Sequence, residues 1–485
     1  MSTDNTSSAK SPADVPRNAD AGAAENGTVD DRAAEDAPTA SKPVQVQICR
    51  SIHEIGAQDW NACANASAIR AEAGIVESIC EDGSPATDAH ESKHEDSNPV
   101  ESDSQEQESN PQQKGYNPFN SFEFLSCLED SDCVGAAPGW YPHHLAVEDD
   151  DGAIIGVMPA YLKTNSFGEF VFDHGWADAY ERAGGRYYPK LQVSIPFTPA
   201  TGPRLLVRDP AKTNTRTTDA KTIDRVMTAL ISGAAELTRK ASASSAHWTF
   251  LPEDEWKRLG GLGMLQRTDR QFHWFNRGYG TFDDFLGTLA SRKRKTIRRE
   301  RREALKGLDG NDISIEWITG SDLREHHWDA FHAFYEDTGM RKWGRPYLNR
   351  EFFSLLGERM ADNVLLVFAN RQGQPIAGAL NLIGSHALFG RHWGCAEDVP
   401  FLHFEVCYYQ AIDFAIQHGL DRVEAGAQGE HKLARGYEPV TTYSAHHIPD
   451  PGFRDAVENY LQRERRYVDR EIEALKDFTP FRKDC

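Results

Sequence analysis

Two stretches of this chain, 43–275 and 276–450, carry secondary-structure signals in the same order, and that doubled order most constrains the fold. In the first, residues 44–48 alternate like a half-buried strand and a helix-like piece follows at 58–63. Ser121 is a plausible cap for an apolar helix at 122–128. A hairpin follows, with strands at 140–148 and 153–162 around the turn Asp149-Asp150-Asp151-Gly152. A helix at 219–240, a strand at 247–250, a short helix at 253–259 and a strand at 271–275 complete the unit. The second stretch opens with a helix at 281–306 and a strand at 313–318, then a helical pair at 322–336 and 349–360. A hairpin joins strands at 364–369 and 376–383 through the turn Asn370-Arg371-Gln372-Gly373. A strand at 387–393, a helix at 403–418 and strands at 422–425 and 441–447 follow. Both halves read strand, helices, hairpin, helix, strand. No short period accompanies the repetition, so the expectation is an α/β fold used twice and not a solenoid. A final amphipathic helix is expected at 453–476, within a C-terminal region 451–485, with apolar residues at 453, 457, 460, 461, 468, 472 and 475.

Two acidic segments stand outside that order. Residues 1–42 hold eight acidic against four basic residues, and residues 67–114 hold twelve against three. Neither has apolar periodicity, and neither buries enough apolar surface to offset its ordering entropy. The first is expected to be a disordered tail, the second a disordered loop inserted into a helix–helix connection, where length costs little. Much of the chain's net charge of −21 sits there, so it says little about what the globular part binds. The N-terminus has no basic start followed by an apolar core, as a secretory signal would. No stretch approaches the roughly 20 apolar residues of a membrane helix. The eight cysteines show no CxxC pair and no His-rich metal spacing. They read as a reduced, cytoplasmic set with no metal site, and Cys407, in an apolar run, reads as core.

The segment 424–437 (EAGAQGEHKLARGY) ends a short β-prone stretch in small residues and glycines, then presents Glu430, His431, Lys432 and Arg435 before Gly436. Glycines let backbone amides approach a ligand, and Lys and Arg add fixed positive charge. The pattern reads as an anion-handling edge, or equally as a tight turn with solvated charges. The helix 281–306 contains Ser291-Arg292-Lys293-Arg294-Lys295-Thr296-Ile297-Arg298-Arg299 beside an apolar stripe of Phe282, Phe285, Leu286, Leu289, Ile297, Ala304 and Leu305. Four consecutive cations cover most of a helix circumference. One or two should face inward and need an anion: a substrate phosphate, a carboxylate or a nucleic-acid backbone. The alternative is a solvated basic face. His392, in Gly390-Arg391-His392-Trp393-Gly394, ends a strand that leads towards a helix N-terminus with amides for an anion. The segment 172–180 (FDHGWADAY) and 187–190 (YYPK) are dense in aromatics, glycine and charge, which suits a binding groove or a packed loop. Walker, dinucleotide and nucleophile-elbow motifs are missing, which leaves nucleotide hydrolysis, dinucleotide redox chemistry and serine hydrolysis unsupported.

Seven runs together resemble one family: 172–180, 187–190, 196–205 (PFTPATGPRL), 291–299 (SRKRKTIRR), 342–347 (KWGRPY), 403–410 (HFEVCYYQ) and 424–437. From about 117 to 447 the chain resembles the bacterial N-acyltransferases of the peptidoglycan biosynthesis/recognition type. These are relatives of the FemABX peptidyltransferases in the GNAT-like superfamily. The resemblance implies two GNAT-like domains in tandem and transfer of an acyl or aminoacyl group to an amine, as of a cell-wall precursor. It implies a phosphate-bearing donor, aminoacyl-tRNA or acyl-CoA, with no bound cofactor; tRNA is thereby a candidate partner. The run from Lys432 to Tyr437 is longer than the family's Lys-x-Gly-Phe pattern. The coiled-coil arm of some members has no counterpart, and the usual GNAT pyrophosphate loop does not follow the third strand. On this reading Glu430, His431 or His392 accepts the amine proton. Arg294, Arg298, Lys432, Arg435, Tyr437, Asp173, Trp176 and Tyr188 bind substrate, and amides near Gly394 or Gly429 stabilise an oxyanion. Replacing Lys432 by Ala is expected to abolish transfer and spare folding. The rival expectation is a non-catalytic GNAT-like protein that recognises peptidoglycan fragments or tRNA.

Overall fold

The computed structural model describes residues 44–65, 115–208, 220–306, 312–342, 346–426 and 429–482, so the expected tail and acidic insert lie outside the described residues. In chain order the strands are β1 (Gln45–Cys49), β2 (Trp140–Pro142), β3 (His144–Glu148), β4 (Ile154–Met158), β5 (Tyr161–Lys163), β6 (Lys190–Val193), β7 (Leu206–Val207) and β8 (Ala246–Leu251), then β9 (Leu265–Phe275), β10 (Ile313–Ile318), β11 (Val364–Arg371), β12 (Gln374–Ile383), β13 (Ala387–Cys395), β14 (Arg422–Glu424) and β15 (Glu438–His447). Eleven form one sheet in the order β10-β11-β12-β13-β14-β9-β15-β8-β6-β5-β2. A second sheet has the order β1-β3-β4-β7.

The two halves exchange strands. β9, the last strand before residue 276, pairs with β14 of the second half. It also pairs with β15, in a ladder running from Glu438–His273 to His446–Leu265. β15 in turn pairs with β8 of the first half. The interior between the halves is aromatic: Phe119 meets Phe389 at 5.2 Å, Phe124 meets Phe352 at 5.9 Å, and Phe197 stacks on Tyr347 at 5.0 Å. Each such pair contributes about 0.5–1.5 kcal/mol beyond its buried area.

Several elements differ from the sequence reading. The helix expected at 281–306 is two, Phe282–Thr288 and Ser291–Lys306. The break falls at Leu289, which turns extended and bridges to Phe481, while Ala290 N–H donates to the Pro480 carbonyl at 2.9 Å. The apolar stripe runs on in phase, but the C-terminal segment has taken the backbone groups a continuous helix needs. The first hairpin is four strands, because Pro142 and Pro159 interrupt the ladder. Its distal part (β3, β4) joins the small sheet and its proximal part (β2, β5) the large one. β9 is eleven residues long, not five; Arg267, Thr268, Gln271 and His273 along it are buried polar residues, which alternation alone does not reveal. Tyr460, placed with the apolar residues of the last helix, is exposed and donates to Glu464 at 2.9 Å. That helix, Pro451–Lys476, lies along β9 and β15. None of the helices described is long and apolar enough to cross a membrane.

The β11–β12 turn is tighter than expected, with Gln372 (φ 52°) and Gly373 (φ 75°) both left-handed. Such two-residue turns favour Asn-Gly. Gln372→Asn is predicted to raise stability by about 0.5 kcal/mol, read as a higher urea midpoint at unchanged slope; a lower midpoint would contradict the turn assignment.

Candidate active site

The site begins where two parallel strands separate. β13 and β14 pair only through Ala387–Arg422, Leu388–Val423 and Phe389–Glu424. Beyond that point β13 continues to Cys395 beside β12 alone, so the strands open a wedge. A bulge sits at its root: Asn381 opposes Gly390 and Leu380 opposes His392, which leaves Arg391 as the extra residue. The root is held by buried polar groups. Arg422 Nε donates to Glu424 Oε1 at 2.8 Å, and His273 Nε2 lies 3.7 Å from Glu424 Oε2. Burial lowers the His273 pKa to about 4. Gly394, an expected oxyanion donor, is also a close-packing position. A Cβ at that position would come within 2.2 Å of the Phe334 carbonyl, on the helix Glu325–Lys342.

A glycine-bounded turn closes onto the wedge. The short helix Glu430–Arg435 is flanked by Gly429 (φ 106°) and Gly436 (φ 90°). At Gly436 a Cβ would strike the Phe285 ring at 2.6 Å, so this glycine is needed for both conformation and close approach. Lys432 is buried, and its Nζ donates to the carbonyls of Ala425 at 2.6 Å and Gly426 at 3.1 Å, the residues that prolong β14. Burial lowers its pKa to about 8. Lys432 therefore also has a structural duty, and its removal is not neutral for folding: two carbonyls would lose their donor, at about 1–3 kcal/mol. His431 Nε2 lies 2.9 Å from the Tyr408 hydroxyl. Burial pushes that phenol far above its ordinary pKa. The side chain of Glu430 lies outside the described residues. Tyr437 is fully buried, edge-on to Tyr408 at 5.5 Å, and burial raises its phenol well above the usual value.

The basic helix is docked by an acid. Glu300 shares the inward face with Ile297 and Ala304. Its carboxylate accepts from Arg435 Nη2 at 2.9 and 3.0 Å and from the Tyr409 hydroxyl. The Arg435 guanidinium lies 3.3 Å over the Phe404 ring and also donates to the His431 carbonyl at 2.7 Å. Arg435 is thus committed to the fold. The inward cation of the helix is Arg301. Its anions are protein groups, Glu405 at 3.0 Å and Asp413 at 2.7 Å, so no ligand phosphate is needed to neutralise it. Glu405 begins a π turn, Glu405–Tyr409, within the helical run that continues as Gln410–Gln417. Arg298 is exposed and pairs with Asp283 at 2.7 Å; Arg294 is partly buried. Arg292, Lys295, Arg299, Ser291 and Thr296 line an open groove on the outer face.

His392 lies on β13, the other arm of the wedge, with its ring edge-on to Tyr335 at 4.9 Å. Burial, assisted by Arg391, lowers its pKa to about 3, so it is neutral and weakly basic. Asp173, Trp176 and Tyr188 form a different cluster, in the first half. Asp173 accepts from Lys190 and, at 2.6 Å, from Tyr187. Burial opposes its ionisation, yet Lys190 holds it well below the usual carboxylate range. Tyr188 lies 2.8 Å from Ser166 Oγ, itself bonded to Lys190. Trp176 packs under Arg267 and against His446. Lys163, Glu169 and Lys190 complete this buried network. Sequence reasoning missed Lys163 and Glu169, which sit in a strand and a loop of ordinary composition, whereas Lys190 lies in the 187–190 run. Glu300 could have been found: it is the one acid in 291–302, three residues after Ile297 and four before Ala304.

Removing Glu300 strands the Arg435 charge in a buried setting. Glu300→Ala is predicted to cost about 3 kcal/mol in urea unfolding; a loss under about 1 kcal/mol would show that the pair does not anchor the helix.

A family model described as FemAB-like, peptidoglycan biosynthesis/recognition, matches residues 102–483. No curated protein sequence matches the chain. Among solved structures, it is similar to a crystal structure of FemX, at 12% identity and TM-score 0.44, covering 71% of this chain and 95% of that one. It is similar to a tandem GNAT protein from the clavulanic acid biosynthesis pathway, at 10% identity and TM-score 0.38, covering 84% and 99%. It is also similar to the C-terminal domain of a putative lysylphosphatidylglycerol synthetase from Agrobacterium fabrum, at 8% identity and TM-score 0.43, covering 71% and 91%.

Proposed function

Because the chain belongs to the FemAB-like family of peptidoglycan biosynthesis/recognition proteins, and is on that ground an N-acyltransferase with two GNAT-like units, we propose that it moves an aminoacyl group from a charged tRNA to an amine of a cell-wall precursor. The observation that carries this reading is Lys432: a buried ammonium held by the Ala425 and Gly426 carbonyls, where the chain runs on past the pairing of β14 with β13. A tRNA donor is favoured over acyl-CoA by the outer face of the basic helix. Arg292, Lys295 and Arg299 there present more cationic surface than one pyrophosphate engages.

The donor ester lies in the wedge with its carbonyl towards the Lys432 ammonium. The amine attacks that carbonyl: a C–N bond forms, negative charge develops on the carbonyl oxygen, and Lys432 stabilises it in a low-dielectric setting. The amine proton passes to His431, whose ring is fixed by Tyr408. The ester C–O bond then breaks, and the departing ribose hydroxyl takes a proton from the same imidazole. Arg435 and Glu300 hold the turn that carries both groups and do not touch the reacting atoms. His392, with its lowered pKa, is a poor general base here. Holding donor and amine together supplies much of the remaining rate.

Ligands that bind only the folded protein raise its thermal midpoint. The expected outcome is a midpoint rise with aminoacyl-tRNA that shrinks steeply with salt. A rise with acyl-CoA alone would reassign the donor, and no rise with either in folded protein would favour a non-catalytic binding role.

Lys432 also sets a pH dependence. Its pKa is lowered, so the fold disfavours its charged form. That cost is present in full below about pH 8 and fades as pH rises. The stabilising cation is lost over the same interval, so kcat/KM should fall as pH passes about 8. Lys432→Arg, which does not titrate there, should move this falling limb upwards, whereas Lys432→Ala should abolish transfer at every pH. An unshifted limb in the Arg variant would remove Lys432 from the chemistry.

A further inference from the structure

The π turn Glu405–Tyr409 is one wide turn inside an otherwise α-helical run, and its hydrogen bond joins residues five apart: Gln410 N–H donates to the Glu405 carbonyl. Such turns are rare and are frequent at functional sites. The side chains repeat the same connection, since Gln410 Nε2 donates to Glu405 Oε1 at 2.7 Å. In an α-helix, residues five apart point about 140° away from each other, and only those three or four apart are neighbours. This side-chain bond therefore belongs to the wide turn and locks it. The Gln410 amide is oriented in turn by the sheet, because its Oε1 accepts from Trp317 Nε1 on β10 at 2.8 Å. Glu405 is fully buried, and Arg301 clamps it from the helix Ser291–Lys306. Arg301 Nε lies 3.2 and 3.1 Å from the two carboxylate oxygens, and Nη2 lies 3.0 Å from Oε1.

What the turn presents is two tyrosines in succession. The Tyr408 hydroxyl lies 2.9 Å from His431 Nε2. The Tyr409 hydroxyl donates to Glu300, whose carboxylate holds Arg435, and Arg435 Nη1 donates to the His431 carbonyl at 2.7 Å. His431 is thus held at its ring through one tyrosine and at its backbone through the other. We infer that Glu405 and Gln410 are positioning residues for His431: by locking the π turn they aim Tyr408 and Tyr409, and so fix the orientation and tautomer of the imidazole. The inference rests on the transfer reading, in which His431 takes the amine proton, and adds the element that keeps that ring in place. Neither residue touches the reacting atoms. Loss of the lock lets the turn relax towards α-helical geometry and turns Tyr408 away from His431. No substrate contact is removed, so turnover falls and substrate binding does not.

The test uses the full chain with Gln410→Leu, which keeps the bulk of the side chain without its amide, and Glu405→Gln, which places a donor where Arg301 also donates. Each should lower kcat about tenfold or more with KM changed less than about twofold. Asp413→Asn removes the other acid on Arg301 but lies outside the turn, and should leave both constants near those of the wild type. Nitrogen NMR of isotope-labelled histidines, with His431 assigned through His431→Gln, reads the ring directly. One tautomer is expected in the wild type, and a changed His431 signal in Gln410→Leu and Glu405→Gln. Two exchanging tautomers in the wild type overturn the inference, and that measurement needs no variant to fold. A wild-type His431 signal in both folded variants, an equal loss of kcat in Asp413→Asn, or a rise in KM at unchanged kcat also overturns it. The expected spectra in a chain that performs no transfer overturn only the reaction assignment. Unchanged kcat in both variants overturns only the role of the turn.

Discussion

The antiparallel ladder between β9 and β15 is the interaction on which the rest of this structure depends. It joins a strand from before residue 276 to one from the end of the second half, and each strand also pairs into the opposite unit. Neither half can complete its sheet alone. The exchange brings His247 of β8 and His446 of β15 together, Nδ1 to Nδ1 at 2.7 Å, in a fully buried setting. It also lays the C-terminal helix along β9, through ion pairs from Arg267 to Glu464 and from Arg270 to Glu471, each at 2.7 Å. The relative placement of the halves, and hence the seam where Arg391 meets Phe197, follows from backbone hydrogen bonding.

The inward charges of the helix Ser291–Lys306 are paired within the protein, and its outer face carries Arg292, Lys295 and Arg299. The helix Ser291–Lys306 would repel itself if its cations alone faced the fold. Instead Glu300 turns inward to Arg435 and Tyr409, and Arg301 is bracketed by Glu405 and Asp413. The acid fixes the helix to the Glu430–Arg435 turn, so the outer basic face and the Lys432 ammonium are held by one buried cluster. In the proposed reaction, a donor bound along that face would be aligned with the wedge by a rigid element rather than by a flexible arm.

Order, type and approximate extent of most elements were legible in the sequence, because amphipathic helices and alternating strands reveal themselves by period. The basic helix, the Lys432 turn and its glycines were legible too. Partners were not. The break at Leu289 depends on Pro480 and Phe481, nearly two hundred residues away, which no local pattern reports. The switch of the first hairpin between sheets depends on two prolines whose effect is clear only once the neighbouring strands are known. The distinction between Arg435, tied to Glu300, and Arg391, tied to the Phe197 carbonyl, is a matter of tertiary pairing; both are arginines close to glycine. Asp173 and Trp176 in 172–180, and Tyr188 with Lys190 in 187–190, were found as two aromatic runs, but Lys163 and Glu169, which share in the electrostatics of that cluster, come from separate segments.

The duplicated plan also bears on why the proposed chemistry falls in one half. The first half has its own parallel pair, β6 and β8, joined only through Leu191–Ala246, Gln192–His247 and Val193–Trp248. There the chain after β6 returns across the opening. Gly202 N–H donates to the Phe250 carbonyl at 3.1 Å, and Gln271 donates to the Pro199 carbonyl at 2.5 Å. The first wedge is thus occupied by its own loop, and that loop carries Phe197 to Arg391. In the second half the chain leaves β14 through Ala425 and Gly426, and a glycine-bounded turn returns with Lys432 against their carbonyls. The same strand geometry is filled in one copy and furnished with a cation in the other. The loop that fills the first wedge also reaches the second half, where its Phe197 carbonyl accepts from Arg391.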